Sequence, residues 1–307
     1  MRRALPDALR REPLFFEPAP PSARAAGPRT DQRLGEVARW LRDLPRIDAV
    51  VVPELVDENH EGRPFYRSAD PRAYARAIAD RSGATVVVNK VVAHLASGPE
   101  LVRWAEETVA AGLVHLVLVG GASRYIPYPG PSVVEANRLC RPVVEPAGGR
   151  LGNVAIPTRG GEAHRMLAKT RAGASFFTTQ LAFDAEPVAG LVREYDALCA
   201  RALVPPAAVL VSFAPVADES DVEYVRWLGA EIPEAVERAI LEDGESAGPS
   251  ASLGRALGVW EALRAAWPLE SGRVPLGVNV EQVSARHFEP ARELANRFAE
   301  RLGAPGP

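Results

Sequence analysis

The sequence predicts an α/β protein folded as a single (β/α)8 TIM barrel, and three features carry that expectation. Eight apolar runs of strand length recur along the 307 residues, each followed by a stretch with helical periodicity. Glycines stand behind the helix-length segments and just ahead of the next apolar run. Ala111-Gly112 and Ala172-Gly173 are the clearest, as left-handed helix stops. The first run is followed by Pro18-Ala19-Pro20-Pro21 rather than by the glycine-rich turn that opens many doubly wound sheets. No long linker interrupts the alternation, so one domain is expected over residues 1–307.

The elements follow in order. Residues 14–17 form a short aromatic-apolar strand ended by Pro18, and a polar Pro/Ala/Gly stretch leads to a helix over 32–44, with Leu34, Val37, Leu41 and Leu44 on one face. Residues 47–52 are a continuous apolar strand stopped at Pro53. The polar segment 56–71 reads as an extended loop before a helix over 72–80. Strands are expected at 85–92, 115–119, 153–156 and 175–180, with helices at 100–111, 133–139, 162–171 and 186–203. A strand over 208–213 precedes two helices near 221–228 and 234–241. A polar Gly/Ser break at 243–252 leads into a helix to residue 266. The last strand covers 274–280 and a helix over 288–301 follows it.

Composition narrows the function. Hydrophobic residues make up 47% and charged residues 24%, which suits a globular chain with a large core. A formal net charge of −3 gives no electrostatic footprint for wrapping nucleic acid. Cys140 and Cys199 form no CxxC, so two reduced, buried thiols are expected rather than a disulfide framework or a zinc cluster. The five histidines show no HExxH or paired spacing, so no metal site is expected. Met1-Arg2-Arg3 begins like a signal peptide, but Pro6, Asp7, Arg10, Arg11 and Glu12 interrupt any apolar core. No run reaches the roughly 18 apolar residues of a membrane span, and the expectation is a cytoplasmic protein.

In a barrel of this type chemistry lies at the carboxyl ends of the strands. Standing there are Glu17, Glu54, Asn89, Lys90, Gly120, Gly121, Thr158, Arg159, Gln180, Phe213, Asn279 and Glu281. Glu17 ends an apolar strand, where a carboxyl tends towards a raised pKa, as a general acid near neutrality needs; capping the barrel or pairing with an arginine is the other reading. Gln180 offers a donor and an acceptor side by side, the complement of a heterocyclic amide edge, or a bond to a neighbouring loop backbone. Arg159-Gly160-Gly161 is a phosphate cradle or a plain flexible loop. Residues 125–130 form an aromatic, proline-stiffened loop that either stacks a flat ligand or packs on the barrel rim. Lysine occurs only at 90 and 169, which singles out both positions as places where a guanidinium does not replace a compact ammonium.

Several stretches together resemble the 5,10-methylenetetrahydrofolate reductases. Phe16-Glu17 followed by Pro20-Pro21 is similar to the family's first-strand Phe-Glu-Phe-Phe-Pro-Pro, whose Glu is the proton donor. Ala155-Ile156-Pro157 leading to Glu162-Ala163 resembles its fifth-strand loop. The closest match runs from Lys169-Thr170-Arg171-Ala172-Gly173-Ala174 to Thr179-Gln180-Leu181-Ala182-Phe183-Asp184, with the Lys-to-Gln interval kept. Pro215-Val216 and Gly229-Ala230-Glu231-Ile232-Pro233 resemble the segment after the seventh strand.

The departures fall on one side. The family's Leu-Arg-Gly-Asp after the fourth strand is here Val119-Gly120-Gly121-Ala122, and its Gly-His-Pro is Arg159-Gly160-Gly161. Polar positions that contact flavin in the family are Arg165 and Ala168. This pattern resembles the divergent actinobacterial branch that works without bound flavin. The resemblance implies reduction of methylenetetrahydrofolate to 5-methyltetrahydrofolate with NADH or NADPH as hydride donor and FAD absent; the alternatives are an FAD-containing reductase, with the flavin held by Lys169 and loop backbone, and a folate-binding relative without reductase activity. It implies Glu17 as the catalytic acid, and Gln180, Asn89, Thr158, Phe213 and Glu281 around the folate. Lys169, Arg165, Gly120 and Gly121 would line the nicotinamide cofactor, with Lys169 on a phosphate or, alternatively, facing solvent.

Overall fold

The computed structural model describes residues 4–22, 28–123, 125–241, 248–267 and 272–303. The signal-like Met1-Arg2-Arg3, residues 23–27 of the Pro/Ala/Gly stretch and residues 243–247 of the Gly/Ser break lie outside the described residues, while 248–252, expected within that break, form the first turn of a helix. The barrel strands are β1 (Leu14–Glu17), β2 (Ala49–Val52), β5 (Val86–Val91), β6 (His115–Val119), β7 (Leu151–Ala155), β8 (Ala174–Leu181), β9 (Ala208–Phe213) and β10 (Leu276–Glu281). They close in the order β1-β10-β9-β8-β7-β6-β5-β2. Neighbours are parallel throughout, as the strand–helix alternation requires. The surrounding helices are α2 (Pro28–Asp43), α3 (Pro71–Ser82), α4 (Gly98–Ala110), α5 (Val133–Val144), α6 (Glu162–Arg171), α7 (Ala185–Ala202), α8 (Glu219–Trp227), α9 (Glu234–Leu241), α10 (Gly248–Ala266) and α11 (Phe288–Arg301).

Each strand turns alternate side chains to two apolar layers. Phe15, Val51, Val87, Val117, Phe176 and Leu210 point into the barrel, while Phe16, Val50, Val88, Leu116, Phe177 and Val211 pack under the helices. Gly112 and Gly173 adopt the positive φ that a left-handed helix stop requires, at 80° and 119°.

Two elements depart from the sequence-based expectation. The 56–71 segment is not an extended loop but carries an antiparallel hairpin, β3 (Val56–Glu58) and β4 (Pro64–Tyr66). Its turn is set by Asn59, whose side-chain oxygen accepts from the backbone N–H of Glu61 and Arg63. A short helix, α1 (Leu5–Ala8), precedes β1 and adds Leu5 and Leu9 to the inner apolar layer at the amino ends of the strands. Among the described residues, no helix is long and apolar enough to cross a membrane.

Candidate active site

Above the inner apolar layer the barrel turns polar. Glu17 and Asn89 stand two residues beyond Phe15 and Val87, and Ser212 two beyond Leu210, so all three share the inward face. Asn279 and Glu281 alternate with the outward Val278 and Val280. Register pairs Glu17 directly with Glu281 across β1 and β10. The Asn279 amide nitrogen lies 3.4 Å from Glu17 Oε2, 3.2 Å from Glu281 Oε1 and 3.1 Å from Ser212 Oγ, donating to all three oxygens with two hydrogens. Two buried amide oxygens, Asn89 Oδ1 and Asn279 Oδ1, have no hydrogen-bond partner.

Among the described residues, no arginine pairs with Glu17. Burial first, then the charge of Glu281, push its carboxyl well above the usual carboxylate range, with Asn279 pulling the other way. Burial likewise pushes Glu281 up to about 7, against hydrogen bonds from Ser212 and Asn279. A carboxyl that keeps its proton near neutrality is chemically a general acid.

Gln180 and Thr158 line a cavity of 210 Å³ beside the strand ends, together with Pro157, Phe183, Glu231 and Ile232. The Gln180 amide is engaged by its own chain. Its nitrogen donates to the Leu228 carbonyl at 2.8 Å, and its oxygen accepts from the Leu181 N–H at 3.0 Å. Phe213 is corrected: it is one strand position out of phase with Ser212, faces the helix layer, and stacks on Phe298 of α11 at 5.3 Å. Ser212 occupies the inward position instead, and the period-of-two pattern counted from Leu210 points to it.

Lys169, Arg165, Gly120 and Gly121 come together around a second cavity, of 340 Å³, with Arg159, Ile156 and Ser132. Lys169 does not face solvent. It is buried, donates to the Val154 carbonyl at 2.8 Å and lies 3.6 Å from Glu162. Burial lowers its pKa and Glu162 draws it back up. The buried Glu162 carboxylate also binds Arg159 at 2.5 Å and lies 3.6 Å from Arg165. Three cations around one carboxylate leave positive charge at the start of α6, where an anionic group would be favoured.

The aromatic loop packs on the rim. Tyr128 covers Gly121 so closely that a Cβ there would lie 2.2 Å from its ring. Its hydroxyl donates to Glu58 at 2.5 Å and accepts from the Ser123 N–H. Glu58 in turn binds the buried His94 at 2.9 Å, tying the β3–β4 hairpin to the loops after β5 and β6. Gly130 lies against Val92, where a Cβ would come within 2.0 Å of the carbonyl oxygen. Tyr125 alone of this loop's tyrosines is exposed. Lys90 points outward and binds Glu54 at 2.7 Å. Cys140 and Cys199 are free and buried.

No family model and no curated protein sequence matches the chain. A solved structure of an uncharacterised protein from Clostridium thermocellum, which binds two copies of 5-methyl-5,6,7,8-tetrahydrofolic acid, matches with a TM-score of 0.76. Identity is 18%, over 94% of this chain and 96% of that one. This likeness shows the fold. Orotidine 5'-phosphate decarboxylase from Pyrococcus horikoshii aligns with a TM-score of 0.46 and 9% identity, over 92% of this chain and 98% of that one.

Proposed function

We propose that the chain is a methylenetetrahydrofolate reductase-like oxidoreductase that reduces 5,10-methylenetetrahydrofolate to 5-methyltetrahydrofolate, with NADH or NADPH giving the hydride directly and no flavin bound. The observation that carries the reading is Glu17: a carboxyl raised well above the usual carboxylate range by burial and by Glu281, without a cation partner among the described residues, beside amides whose acceptors are free. The folate-binding protein that shares the fold supports the substrate class, and the motif resemblance from Glu17 to Gln180 supports the reaction.

In this reading the Glu17 proton goes to the ring nitrogen that leaves as the five-membered ring opens. The resulting iminium carbon takes the hydride and becomes the methyl group. Free acceptors on Asn89 and Asn279 suit the amino and ring N–H donors of a pterin. Arg159, Arg165 and Lys169 hold the anionic part of the nicotinamide substrate, whose chemistry is hydride donation. Barrel walls fix the two reactants against each other.

The test is the absorbance spectrum of the purified protein, followed by NADH consumption with methylenetetrahydrofolate. No flavin band and intersecting initial-rate lines are expected, because both substrates must be present together. A flavin band near stoichiometric occupancy, or parallel lines, overturns the flavin-free reading. A second reading, a folate-binding relative without reductase activity, is supported by the neighbour of the same fold, which binds 5-methyl-5,6,7,8-tetrahydrofolic acid. Folate binding without NADH oxidation identifies that case.

A further inference from the structure

The carboxylates of Glu17 and Glu281 stand at paired register positions on adjacent parallel strands, and both side chains point into the same mouth. One amide, Asn279, bridges them from below. Among the described residues, neither carboxylate has a lysine, arginine or histidine nitrogen within ion-pair distance. Lys90 holds Glu54 beyond β2, and Arg67 holds Asp57 on the hairpin. Beta9 contributes Ser212 and β5 contributes Asn89, while α8 brings Tyr224 close enough to feel both carboxylates, which help raise its own pKa. Two half-buried carboxylates at paired strand positions, bridged by one amide and without a counter-ion among the described residues, do not both ionise at neutral pH.

We propose that Glu17 and Glu281 form a dyad that retains one proton at neutral pH, with Glu281 as the positioning residue that keeps this proton on Glu17 for delivery into the mouth. The Asn279 amide fixes the arrangement by donating to one oxygen of each carboxylate, so the remaining oxygens are the ones that carry and release the proton. When the proton leaves for a substrate nitrogen, the pair becomes doubly charged and takes a proton back from water. The inference rests on the reductase reading only for where the proton goes. The dyad itself is a property of the apo protein.

It is tested by following the infrared C=O stretch of protonated carboxyls against pH in the wild type, Glu281→Gln, Glu17→Gln and Ser212→Ala. At pH 7 the wild type is expected to hold one protonated carboxyl. Glu281→Gln should lower the ionisation midpoint of Glu17 by about one to three pH units. Ser212→Ala, which withdraws a hydrogen bond from ionised Glu281, should move the Glu281 midpoint upward. If the Glu17 midpoint is the same with and without Glu281, or if both carboxyls are ionised at pH 5 in the wild type, the dyad is wrong. The descending limb of the kcat/KM profile should fall in Glu281→Gln by the shift seen in the infrared. The shift without NADH-dependent reduction removes the reductase reading and leaves the dyad standing. Reduction without the shift removes the dyad alone.

Discussion

The role proposed for Glu17 depends on surroundings that, among the described residues, deny it a cation, and the same surroundings define what its replacement does. Glu17→Gln keeps the shape and the Asn279 contact while removing the transferable proton. Turnover should drop by about 10²- to 10⁴-fold with little change in folate binding, read by steady-state kinetics and a binding titration. A variant within a few-fold of wild type would take Glu17 out of the mechanism. Gln180→Ala acts differently, since the amide now ties β8 to the end of α8 through Leu228. Losing that bond and any folate contact should weaken folate binding by about 1–3 kcal/mol, checked by calorimetry. Positions of this kind were legible from sequence wherever a polar residue follows an apolar strand, as at Glu17, Asn89, Gln180 and Glu281. Phe213 was misread because an aromatic at a strand end suits the helix layer as well as the mouth. Only counting in twos from Leu210 separates it from Ser212. The cation-free pairing of Glu17 with Glu281 needed the barrel to close, because the two residues lie 264 positions apart in the chain.

The β3–β4 hairpin and the loop after β6 behave as one unit because they meet on the His94–Glu58–Tyr128 cluster. Tyr128→Phe removes the bond to Glu58 and leaves the Ser123 N–H without its acceptor. A cost of about 1–2 kcal/mol follows, and amide exchange over residues 56–66 should speed up accordingly, with the barrel strands unaffected. Unchanged exchange in the hairpin would mean that backbone pairing alone holds it. The barrel strands and their helices were readable because burial on both faces writes continuous apolar runs, and amphipathic helices write a 3.6-residue period. The hairpin was not readable, since its residues are half-buried or exposed and carry no alternation. Helix α1 was hidden for a related reason: four residues between charged neighbours show no period, although Leu5 and Ala8 are buried.

A polar mouth set on an apolar floor makes the whole molecule's stability depend on pH in a way set by the candidate site. Glu17 and Glu281 hold protons more tightly in the folded chain than in the unfolded one. The folded state therefore binds more protons between the ordinary carboxylate range and the raised values. Stability from these groups is fully present below about pH 4.5 and is lost as pH rises through about 7, where Glu281 ionises. Asp57, Asp70 and Asp218, lowered by their own partners, act in the opposite sense and only in more acid solution. His115, which burial lowers to about 4, also gains stability with rising pH between about 4 and 6.5, so it is the loss above that range that can be assigned to the mouth. Glu281→Gln removes its own titration and the repulsion felt by Glu17. It should stabilise the protein at pH 8 by about 1–3 kcal/mol while leaving stability at pH 4.5 almost unchanged, measured by denaturant unfolding at the two values. A variant that gains equally at both pH values would be better packed rather than relieved of charge. One that gains at neither would mean that the two carboxylates ionise freely, and the acid assigned to Glu17 would lose its physical basis.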